Sequence, residues 1–193
     1  DEGLRMLIES LQDEGFVMDG EAFRVAYREA SERYQQQRQA DHRERTTASV
    51  VREVMAGFGY PSVEEPALRA ALELMYAPSE ALWHPMPGAR EVLQELRDEG
   101  YRLGLVSNAS DEANAQRLVD KAGLRPWFDP ILISAAIGMR KPAPEVFRRV
   151  LRAWKVPARM CIAIQKLMKT VIVGAAFALA VLPMAGQTAA YRA

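Results

Sequence analysis

The sequence predicts an α/β protein: a helical segment over about residues 1–80, then a Rossmann-like segment with a parallel sheet over about 81–165. Three observations carry this reading. Apolar residues recur at helical spacing through the first eighty positions, with no strand signal among them. After Pro85-Met-Pro-Gly88 the pattern changes to short apolar runs, Tyr101–Ser107, Pro130–Ser134 and Met160–Ile164, separated by helical stretches; such alternation builds βαβ units. The 193 residues are 49% hydrophobic and 26% charged, enough to bury a core and too apolar for wholesale disorder.

Taken in order, Leu4, Leu7, Ile8 and Leu11 form one face of a first helix, punctuated by Gly15 and Gly20. A long second helix, about 21–45, sets Phe23, Val25, Ala26 and Tyr34 among Arg, Glu and Gln. A third, about 47–56, turns Val50, Val51, Val54 and Met55 inward and is broken by Gly57, Gly59 and Pro61. A fourth, about 65–75, does the same with Leu68, Ala71, Leu72 and Leu74. Four helices on short links read as a helical bundle. Helix 89–99 stops at Gly100 and is followed by strand 101–107; helix 111–122 stops at Gly123 and is followed by strand 130–134. Helix 144–154 carries Pro144 in its first turn, where a missing N–H is harmless. Strand 160–164 completes the alternation.

Residues 166–193 form an apolar tail, without charge from Thr170 to Tyr191. Three readings stay open. Met168 to Ala190 has the make-up of a secretory signal peptide, which at this end of a chain implies a joined reading frame. The 16 residues Val171–Gly186 could be an anchor, though a span takes roughly 20. The tail could also continue the sheet and its helix. At the other end the chain starts at Asp1, inside a helical pattern and without Met, as a fragment or processed chain would.

Composition removes several functions. The single Cys161 precludes an internal disulfide or a multi-cysteine zinc site, and two histidines, His42 and His84, make a histidine metal centre a poor reading. The zero net charge conceals an asymmetry: residues 1–129 balance at −9 and residues 130–193 at +9, with Glu145 the only acid in the latter. The Arg/Gln-rich stretch Arg33–Arg45 offers only Tyr34 as a stacking aromatic, so no nucleic acid is expected as a partner.

In open α/β sheets ligands sit at the carboxyl ends of the strands. Ser107-Asn108-Ala109-Ser110 follows the first strand. A hydroxyl and an amide there can bind an anionic oxygen, helped by N–H groups of the following helix; both residues are also ordinary turn and cap residues. After the second strand comes Gly138-Met-Arg-Lys141-Pro142-Ala-Pro144, where two prolines hold Lys141 on a stiff loop. A fixed ammonium suits a phosphate or carboxylate; the alternative is solvated loop charge.

HPMPGAREVLQELRDEGYRLGLVSN (84–108) and GMRKPAPEVF (138–147) resemble the second and third motifs of the haloacid dehalogenase (HAD) superfamily, in the group with an early helical cap. The resemblance covers about residues 4–164. It implies a Rossmann-like HAD core over 81–165, a helical cap over 1–80, and hydrolysis through a covalent aspartyl intermediate, usually on phosphate monoesters with Mg²⁺. By motif, Ser107 would hydrogen-bond the transferring phosphoryl group, with Asn108 beside it, and Lys141 would neutralise charge on nucleophile and phosphoryl oxygens. The first and fourth motifs of the family do not occur, so the parallel sheet is expected to be incomplete: no Asp-x-Asp is present, and no acid follows Glu145. Mg²⁺ is therefore expected of an intact relative, without its ligands in this chain, and the chain as it stands is expected to be inactive. The resemblance implies a small phosphorylated metabolite as substrate; the alternatives are a halogenated acid, as for a dehalogenase, or a non-catalytic HAD-fold binding protein. The lone cysteine suits a cytoplasmic protein, a membrane partner is not expected, and oligomeric state is open.

Overall fold

The computed structural model describes residues 2–163 in full and the backbone of residues 164 and 176–183. By internal contacts the chain divides into two compact units. The first holds the described residues up to Trp83 together with Ser110–Asn114; the second holds the rest.

The first unit is helical: α1 (Glu2–Asp13), α2 (Gly20–Asp41), α3 (Thr47–Gly57) and α4 (Glu65–Leu82). The expected apolar faces are the buried ones. Leu4, Leu7, Ile8 and Leu11 of α1 join Phe23, Val51, Met55, Leu68 and Leu72 in one core. Asp19 caps α2 by accepting the Ala22 N–H, and Thr46 caps α3 by accepting the Ser49 N–H, each satisfying a donor that has no partner inside its helix. Gly3 lets α1 approach α4 closely, since a Cβ there would lie 2.2 Å from the Met75 carbonyl oxygen. The expected end of α4 at Met75 is overrun: the helix continues through Pro78 to Leu82. Tertiary bonds override the proline penalty here. The Tyr76 and Thr47 hydroxyls are 2.6 Å apart, and Glu80 Oε1 accepts from Asn114 Nδ2 at 2.6 Å.

The second unit contains α5 (Ala89–Asp98), β1 (Tyr101–Asn108), most of α6 (Glu112–Lys121), β2 (Ile131–Ile133), the single turn α7 (Ser134–Ile137), α8 (Pro144–Trp154), β3 (Ile162–Ile164) and β4 (Ala176–Pro183). Sheet order is β2-β1-β4-β3. The first two expected strands pair in parallel, with Leu105 opposite Ile131 and Ser107 opposite Ile133. β4 runs antiparallel to both β1 and β3, with Ser107 opposite Phe177 and Ile164 opposite Leu179. So eight residues of the apolar tail are a sheet strand; the remainder of the tail, at 166–175 and 184–193, lies outside the described residues. Among the described residues no helix is long and apolar enough to cross a membrane.

Leu103 packs in a cluster with Leu93 of α5, while Val106 packs with Val146, Val150 and Trp154 of α8. Positions three apart on a strand face opposite ways, so helices cover β1 on both sides. Gly104 is dictated by α8: a Cβ there would lie 2.9 Å from Trp154 Cζ2, and the Trp154 indole donates to the Asp129 carbonyl at 2.6 Å.

Candidate active site

β1 and β2 end level with one another, and the chemistry-bearing residues of the second unit gather at that end. Ser107, the penultimate residue of β1, is fully buried, and its hydroxyl has no hydrogen-bond partner among the described residues. A buried hydroxyl left unpaired costs about 1–3 kcal/mol, and native proteins hold few of them.

Lys141 lies in the loop between α7 and α8, and its bond to Pro142 is cis. It is not a solvated loop charge: the residue is only 7% exposed. Its Nζ donates to the Val106 carbonyl at 2.8 Å, one peptide from Ser107. Burial, with the charge of Arg140 adding to it, pushes the Lys141 pKa down to about 8.

Asn108 uses its carboxamide on the Lys141 backbone in both senses. Nδ2 donates to the Lys141 carbonyl at 3.0 Å, and Oδ1 accepts the Lys141 N–H at 2.8 Å. Lys141 is thus tied to β1 at residues 106 and 108, on either side of Ser107. Ser134, which the sequence reading did not single out, makes a second reciprocal grip. Its buried hydroxyl accepts the Ala109 N–H at 2.9 Å and donates to the Ala109 carbonyl at 3.1 Å. The available signal was position: Ser134 follows β2 directly, as Ser107 and Asn108 close β1.

The N–H groups of the helix after β1 were expected to serve the same anion. The Asn114 N–H is instead taken within the chain, by Asp111 Oδ1 at 2.8 Å. Asp111, 4% exposed, also accepts from Arg69 at 2.9 Å. Glu145, the acid that follows the lysine loop in sequence, is committed to Arg152 and Arg148, and Asp111 to Arg69. Among the described residues no group of three or more His, Cys, Asp or Glu could hold a metal ion. Mg²⁺ requires oxygen donors, and these residues do not fit it. What the arrangement offers to an anion is a buried hydroxyl and a restrained ammonium.

A family model described as haloacid dehalogenase-like hydrolase matches residues 8–164. Among curated relatives, glyceraldehyde 3-phosphate phosphatase of Pyrococcus abyssi is 34% identical over 74 residues, which is 38% of this chain and 31% of that protein. Haloacid dehalogenase-like hydrolase domain-containing protein 3 of Homo sapiens is 37% identical over 70 residues, covering 36% of this chain and 27% of that protein. The matched stretch thus spans about three tenths of these relatives. The solved structure of L-2-haloacid dehalogenase from Xanthobacter autotrophicus aligns at a TM-score of 0.39 and 20% identity, over 80% of this chain and 60% of that one. Since the family model takes in the strand tip, the lysine loop and well over half of the sequence, this chain belongs to the haloacid dehalogenase-like hydrolase family.

Proposed function

We propose that this chain carries the anion-binding half of a hydrolase that removes the phosphoryl group from a small phosphorylated metabolite. One observation carries the reading: a fully buried Ser107 hydroxyl without a partner among the described residues, one peptide from the carbonyl that holds the Lys141 ammonium. A phosphoryl oxygen supplies the acceptor that the hydroxyl lacks, and its charge compensates a desolvated cation. The same two groups suit the transition state of phosphoryl transfer, whose negative charge spreads over oxygen atoms. Phosphatase-named relatives support this substrate class.

The remaining roles follow from this reading. Residues 1–80 act as the cap that selects the metabolite, and 81–165 as the core. Lys141 balances charge, Ser107 orients the phosphoryl group, and Asn108 completes the strand tip. The aspartyl nucleophile and Mg²⁺ belong to the whole reaction. With no Asp-x-Asp in its 193 residues, this chain by itself should not turn over phosphate esters. A cytoplasmic setting, where such metabolites occur, agrees with the lone cysteine.

The test is binding, followed by ³¹P and protein NMR with orthophosphate. Saturable binding that is lost in Lys141→Met supports the reading; a wild-type chain that ignores orthophosphate overturns it. A second reading, halide displacement from a 2-haloacid, is favoured by the lack of a divalent-cation donor set among the described residues. Binding of 2-chloropropionate in preference to orthophosphate would select it.

A further inference from the structure

We propose that Asn108 is a positioning residue: its carboxamide grips the Lys141 peptide and so fixes where the Lys141 ammonium stands relative to Ser107. This rests on the reading of Ser107 and Lys141 as an anion site, and it gives Asn108 a job other than touching the anion.

The geometry argues it in three steps. A carboxamide offers donor and acceptor in one plane. Engaging both the N–H and the C=O of one residue, at 2.8 and 3.0 Å, restrains that residue in rotation as well as position. A lysine ammonium ends a four-carbon stem with large rotamer freedom. Here both ends of that stem are tied to one strand, the backbone to Asn108 and Nζ to the Val106 carbonyl. Successive strand residues also leave opposite faces of the sheet. The Asn108 side chain therefore does not share the direction of Ser107, and it acts through the lysine that it holds. The strand end bearing Asn108 is itself held, because Ser134 grips the next residue, Ala109, by both backbone groups. Three segments separated in sequence, the ends of β1 and β2 and the loop before α8, are thereby locked by two side chains. Smaller or isosteric residues do not reproduce the grip: aspartate lacks the donor, serine lacks the reach, and alanine lacks both.

The experiment uses the full chain, comparing wild type with Asn108→Ala. Two quantities are read: the pH profile of Lys141 labelling by acetic anhydride, resolved by mass spectrometry, and orthophosphate affinity by calorimetry. In Asn108→Ala the labelling midpoint of Lys141 should rise from about 8 toward the ordinary 10.5. Orthophosphate should bind about tenfold more weakly, the equivalent of one to two lost hydrogen bonds. A variant with the wild-type midpoint and wild-type affinity overturns the proposal. So does a loss of affinity with the midpoint unmoved, which would mean that Asn108 touches the anion directly. A wild type that binds no orthophosphate, combined with a shifted midpoint in the variant, supports the grip and refutes the phosphate reading. Should Asn108→Ala fail to fold, amide exchange in the wild type decides: the Lys141 N–H should be protected like the amides of β1, and exchange at exposed-loop rates overturns the proposal.

Discussion

The two units treat buried polar groups in opposite ways. In the helical unit, Thr47 bonds Tyr76 and Ser110, and Asp111 bonds Arg69 and the Asn114 N–H; Arg69 Nε is buried without a hydrogen bond among the described residues, but it lies 3.5 Å from Glu65 Oε1, an opposite charge. In the sheet unit, Ser107 is buried with no partner among the described residues, and Lys141 is buried with its pKa pushed down. The first pattern is what stability alone would select, because paired polar groups cost little to bury. The second carries a cost that folding does not need, and sites that await a ligand carry such costs. The difference separates the part of the chain that is explained by packing from the part that is explained by chemistry.

Substitutions should divide along that line. The largest stability effect is expected from Leu68→Ala in the helical core, about 2–5 kcal/mol by chemical denaturation. Orthophosphate affinity should be unchanged wherever the variant is folded; a parallel loss of binding would blur the contrast. Lys141→Met should do the reverse. Affinity should fall roughly a hundredfold, about 2–3 kcal/mol. Stability should hold or rise, because a buried charge gives way to an apolar chain of similar length.

The same lysine predicts two pH effects. Its native pKa lies below its unfolded one, so between about 8 and 10.5 the unfolded chain binds more protons through this side chain, whose contribution makes stability rise with pH across that window. Orthophosphate binding should weaken over the same window, as the ammonium is lost from about pH 8 upward. Lys141→Met should show neither trend in denaturation midpoints or in titrations.

Asp111→Ala removes a helix cap and half of a partly buried ion pair, and should cost about 1–3 kcal/mol of stability. Ser107→Ala gives the smallest stability change, within about 1 kcal/mol and of either sign, since no hydrogen bond is lost. Its orthophosphate affinity should nonetheless fall several-fold. A destabilisation of Ser107→Ala as large as that of Asp111→Ala would show that the hydroxyl is structural after all.

Much of the fold was legible in local pattern. The apolar faces of α1, α3 and α4 announce themselves by spacing, and β1 by its unbroken run ahead of a polar tip. Pro144 marks the start of α8 correctly, because its constraint is local. The passage of α4 through Pro78 was not legible, since it depends on partners contributed by Thr47 and Asn114. Nor was β4, whose composition alone left three readings open and whose antiparallel place between β1 and β3 is a matter of long-range pairing.

By itself, then, the amino-acid order determined the periodicities that make helices and strands, the family to which the two motifs belong, and the residue types at the strand tips. Each of these depends on neighbours a few positions apart. Tertiary structure alone decided that Asn108 grips a residue 33 positions away, that Ser134 grips one 25 away, and that Ser107 has no partner among the described residues. Hydrogen-bond satisfaction is a property of which atoms meet in space, and no local spacing encodes it.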